Sequence, residues 1–149
     1  MKLYLAGALF NEAEVNQRKL EGEILRKRFP QLEIYNPIDE PFNENKESLP
    51  TPEEIYEGDK KAVEDCDIFI CDLSKEDSGV AAELGMALYT DTKIIIGINS
   101  DIRLTSSNKY DVPTVGMNHF VLGAILTNGE LAKSFEEACD ILEKKLEEM

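Results

Sequence analysis

The sequence predicts a doubly wound α/β fold: a parallel sheet of four or five strands with helices on both faces. Three observations carry this. Two continuous apolar runs, DIFICDL at 67–73 and KIIIGI at 93–98, are bounded by charged residues, as strands buried on both faces are. Strand-like and helix-like segments alternate along the chain. The helical segments open on capping residues and carry an apolar stripe.

The elements follow in order. KLYLAG is short, apolar and ended by glycine, and reads as a buried first strand. NEAEVNQRKLEGEILRKRF is a helix whose Asn11 and Glu14 have the spacing of a capping box. LEIYNP gives a second strand around residues 32–35. Residues 36–50, with Pro37, Pro41 and Pro50, are expected to form a long functional loop. Thr51 then caps a helix with Pro52 at its first position and Glu54 completing the box, running to about Asp65. The two apolar runs supply the central strands. Asn99 to Met117 is polar and irregular, and NHFVLGAIL has weak helical character broken by Asn128 and Gly129. Ser134 and Glu137 start a last helix, SFEEACDILEKKLEEM, with Phe135, Ala138, Ile141, Leu142 and Leu146 on one face. Its charged end, EKKLEEM, reads as a solvated face.

A length of 149 residues with 42% hydrophobic content suits one compact domain spanning 1–149. Thirty acidic against sixteen basic residues give a net charge of −14, which repels nucleic acid backbones and anionic membranes and favours small or uncharged ligands. Cys66, Cys71 and Cys139 form no CxxC pair, and His119 is the only histidine, so reduced buried thiols are expected and no metal site. His119 itself reads as a surface or satisfied histidine. No apolar run is long enough to span a bilayer, and a cytoplasmic location is expected. Gly7 and Gly79 belong to no GxGxxG fingerprint, so no dinucleotide cofactor is expected.

Ligands of such sheets sit outside the carboxyl ends of the strands. YLAGALF, DLSKEDSGVAAE and the loop after IIIGI should converge there. In SGVAAELGMAL, Glu83 stands within the helical stripe Val80, Leu84, Ala87 and Leu88, where an apolar residue is expected. Asp59 is a second misfit, on the stripe Ile55, Asp59, Ala62 and Val63. Either acid can lie at the margin of its stripe and be solvated; as a pair they point to function. The early position of Glu83 in its helix is expected to favour the ionised carboxylate, as a nucleophile requires. Tyr4, on an apolar strand, is a core aromatic or a functional phenol, and Asp72 either ends its strand and caps a turn or belongs to the site.

In order over nearly the whole chain, YLAGALF, Asp59 in YEGD, DLSKEDSGVAAELGMAL and MNHFVLG resemble the nucleoside 2-deoxyribosyltransferase family. The spacing of Asp77, Gly79, Glu83, Leu84 and Gly85 is the most specific part of that pattern. The resemblance implies a flavodoxin-like fold and exchange of the base of 2′-deoxynucleosides through a covalent deoxyribosyl intermediate, without a cofactor. It makes Glu83 the nucleophile, Tyr4 the residue that orients it, Asp59 the residue at the base and its proton transfer, and Asp77 a residue near the sugar. Gly7, Phe10 and Gly79 fall in its substrate-binding segments. Asn118 and Phe120 look like residues contributed across a subunit interface, which implies a homo-oligomer acting on deoxynucleosides and free nucleobases.

The chain departs from that family in ending on a charged helix, so no C-terminal residue is carried over, and in a long DIRLTSSNKYDVP stretch whose Arg103 has no assignable role. Two alternatives stand beside this reading. A 2′-deoxynucleoside 5′-monophosphate N-glycosidase would use the same tyrosine and glutamate. A catalytically silent nucleotide-binding or phosphoreceiver domain ranks below it, because AGALF lacks the acidic pair a receiver needs.

Overall fold

The computed structural model describes residues 1–40, 50–101 and 116–149. Among these residues five strands, β1 (Lys2–Ala6), β2 (Glu33–Tyr35), β3 (Ile68–Asp72), β4 (Ile94–Ile98) and β5 (Glu130–Ala132), alternate with five helices. These are α1 (Glu12–Arg28), α2 (Pro52–Glu64), α3 (Ser78–Ala87), α4 (His119–Asn128) and α5 (Phe135–Glu147), with a 3-10 turn at Pro37–Asp39. The strands lie in the order β2-β1-β3-β4-β5, and every neighbouring pair is parallel. The order reverses between β1 and β3, so the crevice that such a sheet offers a ligand opens at their carboxyl ends.

Strand alternation divides the core into two layers. Leu3, Leu5, Ile68, Ile70, Ile94, Ile96 and Ile98 meet Leu25 of α1 and Ala138, Cys139 and Leu142 of α5. On the other face Tyr4, Ala6, Phe69, Cys71 and Ile95 meet Val63 of α2, Val80, Leu84 and Ala87 of α3, and Ile125 of α4. All three cysteines are free and buried. Among the described residues no helix is long and apolar enough to cross a membrane.

The helix starts are those the caps predict, with one refinement. Thr51 and Glu54 form the reciprocal box, whereas Glu14 and Glu137 reach one residue further back, to the amides of Phe10 and Lys133, while Asn11 and Ser134 cap normally. The expected stripe of α2 is not buried along its whole length: Ile55 is 37% exposed, and burial is complete only at Val63. The fifth strand, three residues long and opening on Glu130, is too short and too polar to show a period. Residues 41–49 of the predicted loop, with Pro41, and residues 102–115, with Arg103, lie outside the described residues.

Candidate active site

Register builds the site. Tyr4 of β1 pairs with Tyr35 of β2 on one side and Phe69 of β3 on the other. The three rings stack in a ladder across the sheet, Tyr4 lying 5.2 Å from Tyr35 and 5.6 Å from Phe69, with interplanar angles of 16° and 11°. α3 lays Glu83 over this ladder, and the Tyr4 hydroxyl donates to Glu83 Oε1 at 2.7 Å. α2 brings Asp59 to the neighbouring rung, where the Tyr35 hydroxyl donates to Asp59 Oδ1 at 2.9 Å. The two acids that misfit their stripes are therefore brought together, each held by its own phenol.

Burial governs the electrostatics. The Glu83 carboxyl is pushed up to about 7, chiefly because it is largely removed from water; the Tyr4 hydrogen bond pulls the other way, and the charges of Asp59 and Asp77 add to the rise. Desolvation thus acts against the ionised form that the early helical position was expected to favour, and the side chain sits in the second turn of α3 rather than the first. Burial also raises Asp59, against the hydrogen bond from Tyr35. Tyr4 and Tyr35 are both raised, by burial first and then by the adjacent carboxylates, so both phenols stay protonated as donors. Glu83 and Asp59 thus stand together with both carboxyls raised by burial, a perturbed pair of the kind that marks a candidate functional site.

The remaining expected residues divide. Asp77 is the N-cap of α3, its Oδ1 accepting from the Val80 amide at 2.8 Å. Asn118 caps α4, its Oδ1 accepting from the amides of Phe120 and Val121. The two caps face one cleft of about 350 Å³, lined also by Leu73, Lys75 and Met117. Gly79 follows the Asp77 cap in the first turn of α3. Phe10 is exposed, with the Lys75 ammonium 5.5 Å from its ring centre. Phe120 is 88% exposed. Gly7 answers a packing demand: a Cβ there would lie 1.7 Å from Nη1 of the buried Arg18. Asp72 ends β3 and caps a turn, accepting from the Ser74 amide, and also accepts from Arg18 at 2.8 Å.

The model of the family described as nucleoside 2-deoxyribosyltransferase matches residues 3–140. The chain belongs to the nucleoside 2-deoxyribosyltransferase family. Within reach of this deoxyribosyltransferase-family chain, an uncharacterized protein of Ureaplasma parvum serovar 3 is 31% identical over 148 residues, covering 92% of this chain and 90% of that protein. Solved structures that share the fold include the following three. A conserved protein from Enterococcus faecalis has a TM-score of 0.82 at 21% identity, covering 97% of this chain and 98% of that one. A 2-deoxyribosyltransferase from Bacillus psychrosaccharolyticus has a TM-score of 0.66 at 16% identity, covering 93% and 90%. A CMP N-glycosidase from Clostridium botulinum has a TM-score of 0.58 at 16% identity, covering 97% and 99%.

In this deoxyribosyltransferase fold, sequence reasoning missed Tyr35, which holds Asp59, and the buried ion cluster of Arg18, Glu21 and Asp72. A signal for Tyr35 existed: it closes β2 at the carboxyl edge, where ligands of such sheets sit. Arg18 gave none, since a lone arginine in a charged helix reads as solvated.

Proposed function

We propose that this chain exchanges the base of 2′-deoxynucleosides through a covalent deoxyribosyl ester on Glu83. The observation that carries the reading is the contact of the Tyr4 hydroxyl with Glu83 Oε1 beside an Asp59 held on the next rung. In its ionised form Glu83 attacks the anomeric carbon; the bond from that carbon to the base breaks, and its electron pair leaves with the base. Asp59, its carboxyl raised by burial, supplies the proton that lets the base depart neutral. A second base then attacks the anomeric carbon, the bond from that carbon to Glu83 breaks with its electron pair going to the departing carboxylate, and Asp59 recovers a proton from the incoming base. Splitting one difficult displacement into two easier ones is the logic of retaining glycosidases.

Asp77 has one oxygen committed to the α3 cap and one left for a sugar hydroxyl. The reading also includes assembly. Ile125 is the fully buried residue of the apolar helix α4, while Phe120 and Leu126 are 88% and 62% exposed, which supports a second copy packing there and Asn118 serving a neighbour's site.

Incubation with 2′-deoxyinosine and adenine tests the function. Appearance of 2′-deoxyadenosine is the expected result. Free hypoxanthine alone assigns the chain to hydrolysis, and no reaction with any deoxynucleoside removes the proposal.

A further inference from the structure

A second tyrosine–carboxylate pair lies beside the first. The Tyr35 hydroxyl donates to Asp59 Oδ1 at 2.9 Å, and the Tyr35 ring is fixed by its stack on Tyr4. In a protonated carboxyl the oxygen without the proton is the better acceptor, so an oxygen that accepts a phenolic hydrogen leaves the carboxylic proton to the other oxygen. We propose that Tyr35 is a positioning residue that reserves Oδ1 of Asp59 as an acceptor and so places the transferable proton on Oδ2, facing the departing base.

This rests on the proposed role of Asp59 as proton donor. As the bond between the anomeric carbon and the base breaks, the base nitrogen takes the hydrogen from Oδ2, the O–H electron pair stays on Asp59, and Glu83 closes the bond to carbon. The Tyr35 hydrogen bond then becomes charge-assisted and strengthens at the moment the carboxylate forms. No other described group does this for Asp59. The titratable groups that feel the Asp59 charge are Tyr35 of β2, Tyr4 of β1, Glu83 of α3 and Glu40 after the 3-10 turn, and none of them is a cation. Tyr35 is the one that favours the ionised form, against burial.

Tyr35→Phe keeps the ring and removes the donor. Carboxyl NMR of protein labelled with ¹³C-aspartate, with the signal assigned through Asp59→Asn, reads Asp59 directly. In Tyr35→Phe its titration should move up by about one pH unit. An isosteric second variant, 3-fluorotyrosine at position 35, is a stronger donor and should move it down. An Asp59 titration unmoved by either change overturns the inference.

Kinetics give an independent readout. Turnover of 2′-deoxyinosine by Tyr35→Phe should fall about tenfold with KM little changed, and the alkaline limb of its pH profile should move up by about one unit. With 7-methyl-2′-deoxyguanosine, whose cationic base leaves neutral without a proton, the loss should stay below about twofold. Equal losses on both substrates contradict the role. A wild-type protein inactive on both removes the functional reading, while the NMR titration still decides whether Tyr35 governs Asp59.

Discussion

The hydroxyl of Tyr4 and Oε1 of Glu83, 79 residues apart in sequence, meet at 2.7 Å. The fully buried phenol is fixed between two other rings, so the carboxyl oxygen it holds is fixed as well.

Removing that donor should be visible in the pH profile. The Tyr4 bond lowers the Glu83 titration, so Tyr4→Phe should raise it above its present value of about 7. A nucleophile acts when ionised, and the acid limb should therefore shift to higher pH by about half to one unit. Turnover at pH 7 should fall by roughly tenfold, the scale of a hydrogen bond to a charged group. A change below about twofold across the profile confines Tyr4 to core packing.

Glu83 should also make stability depend on pH. Its folded titration near 7 lies above its ordinary 4.5. The neutral form is thus favoured by folding: this contribution is fully present below about pH 4.5 and is lost as pH rises through about 7. Glu83→Gln mimics the neutral form. It should match the wild type in urea unfolding at pH 4 and exceed it by about 3 kcal/mol at pH 8. Equal stability at pH 8 contradicts the burial cost.

The fold and part of the site were legible because they depend on local pattern. Glu83 and Asp59 broke apolar stripes, and the apolar runs at β3 and β4 announced a sheet buried on both sides. Tyr35 was not legible, because a tyrosine in a strand is ordinary and its partner lies 24 residues away, brought near only by the register of β2 on β1. The need for Gly7 resides in Arg18 on a different element. The titration of Glu83 turned on burial, which the sequence pattern does not measure.

Asp77 should make the proposed enzyme prefer free nucleosides. Its carboxylate accepts from a hydroxyl but repels a phosphate, so kcat/KM for a 2′-deoxynucleoside should exceed that for its 5′-monophosphate by roughly a hundredfold or more. Asp77→Ser keeps a side chain able to cap α3 and should narrow the gap. A wild-type preference for the monophosphate assigns the site to nucleotide N-glycosidase chemistry.

The shared-site proposal for Asn118 is tested by mixing subunits. Asn118→Ser retains a helix cap while removing the amide. Neither it nor Glu83→Ala should be active alone, and an exchanged mixture should regain activity through mixed interfaces. A mixture that stays inactive after subunit exchange is verified by native mass spectrometry shows that the site is complete within one chain.

The covalent role of Glu83 is tested most directly by rapid acid quench of the protein with excess 2′-deoxynucleoside, followed by peptide mass spectrometry. A deoxyribosyl adduct on the peptide carrying Glu83, formed within one turnover and absent from Glu83→Gln, is the predicted result. Turnover near the wild-type rate in Glu83→Gln, or an adduct on another residue, would contradict it.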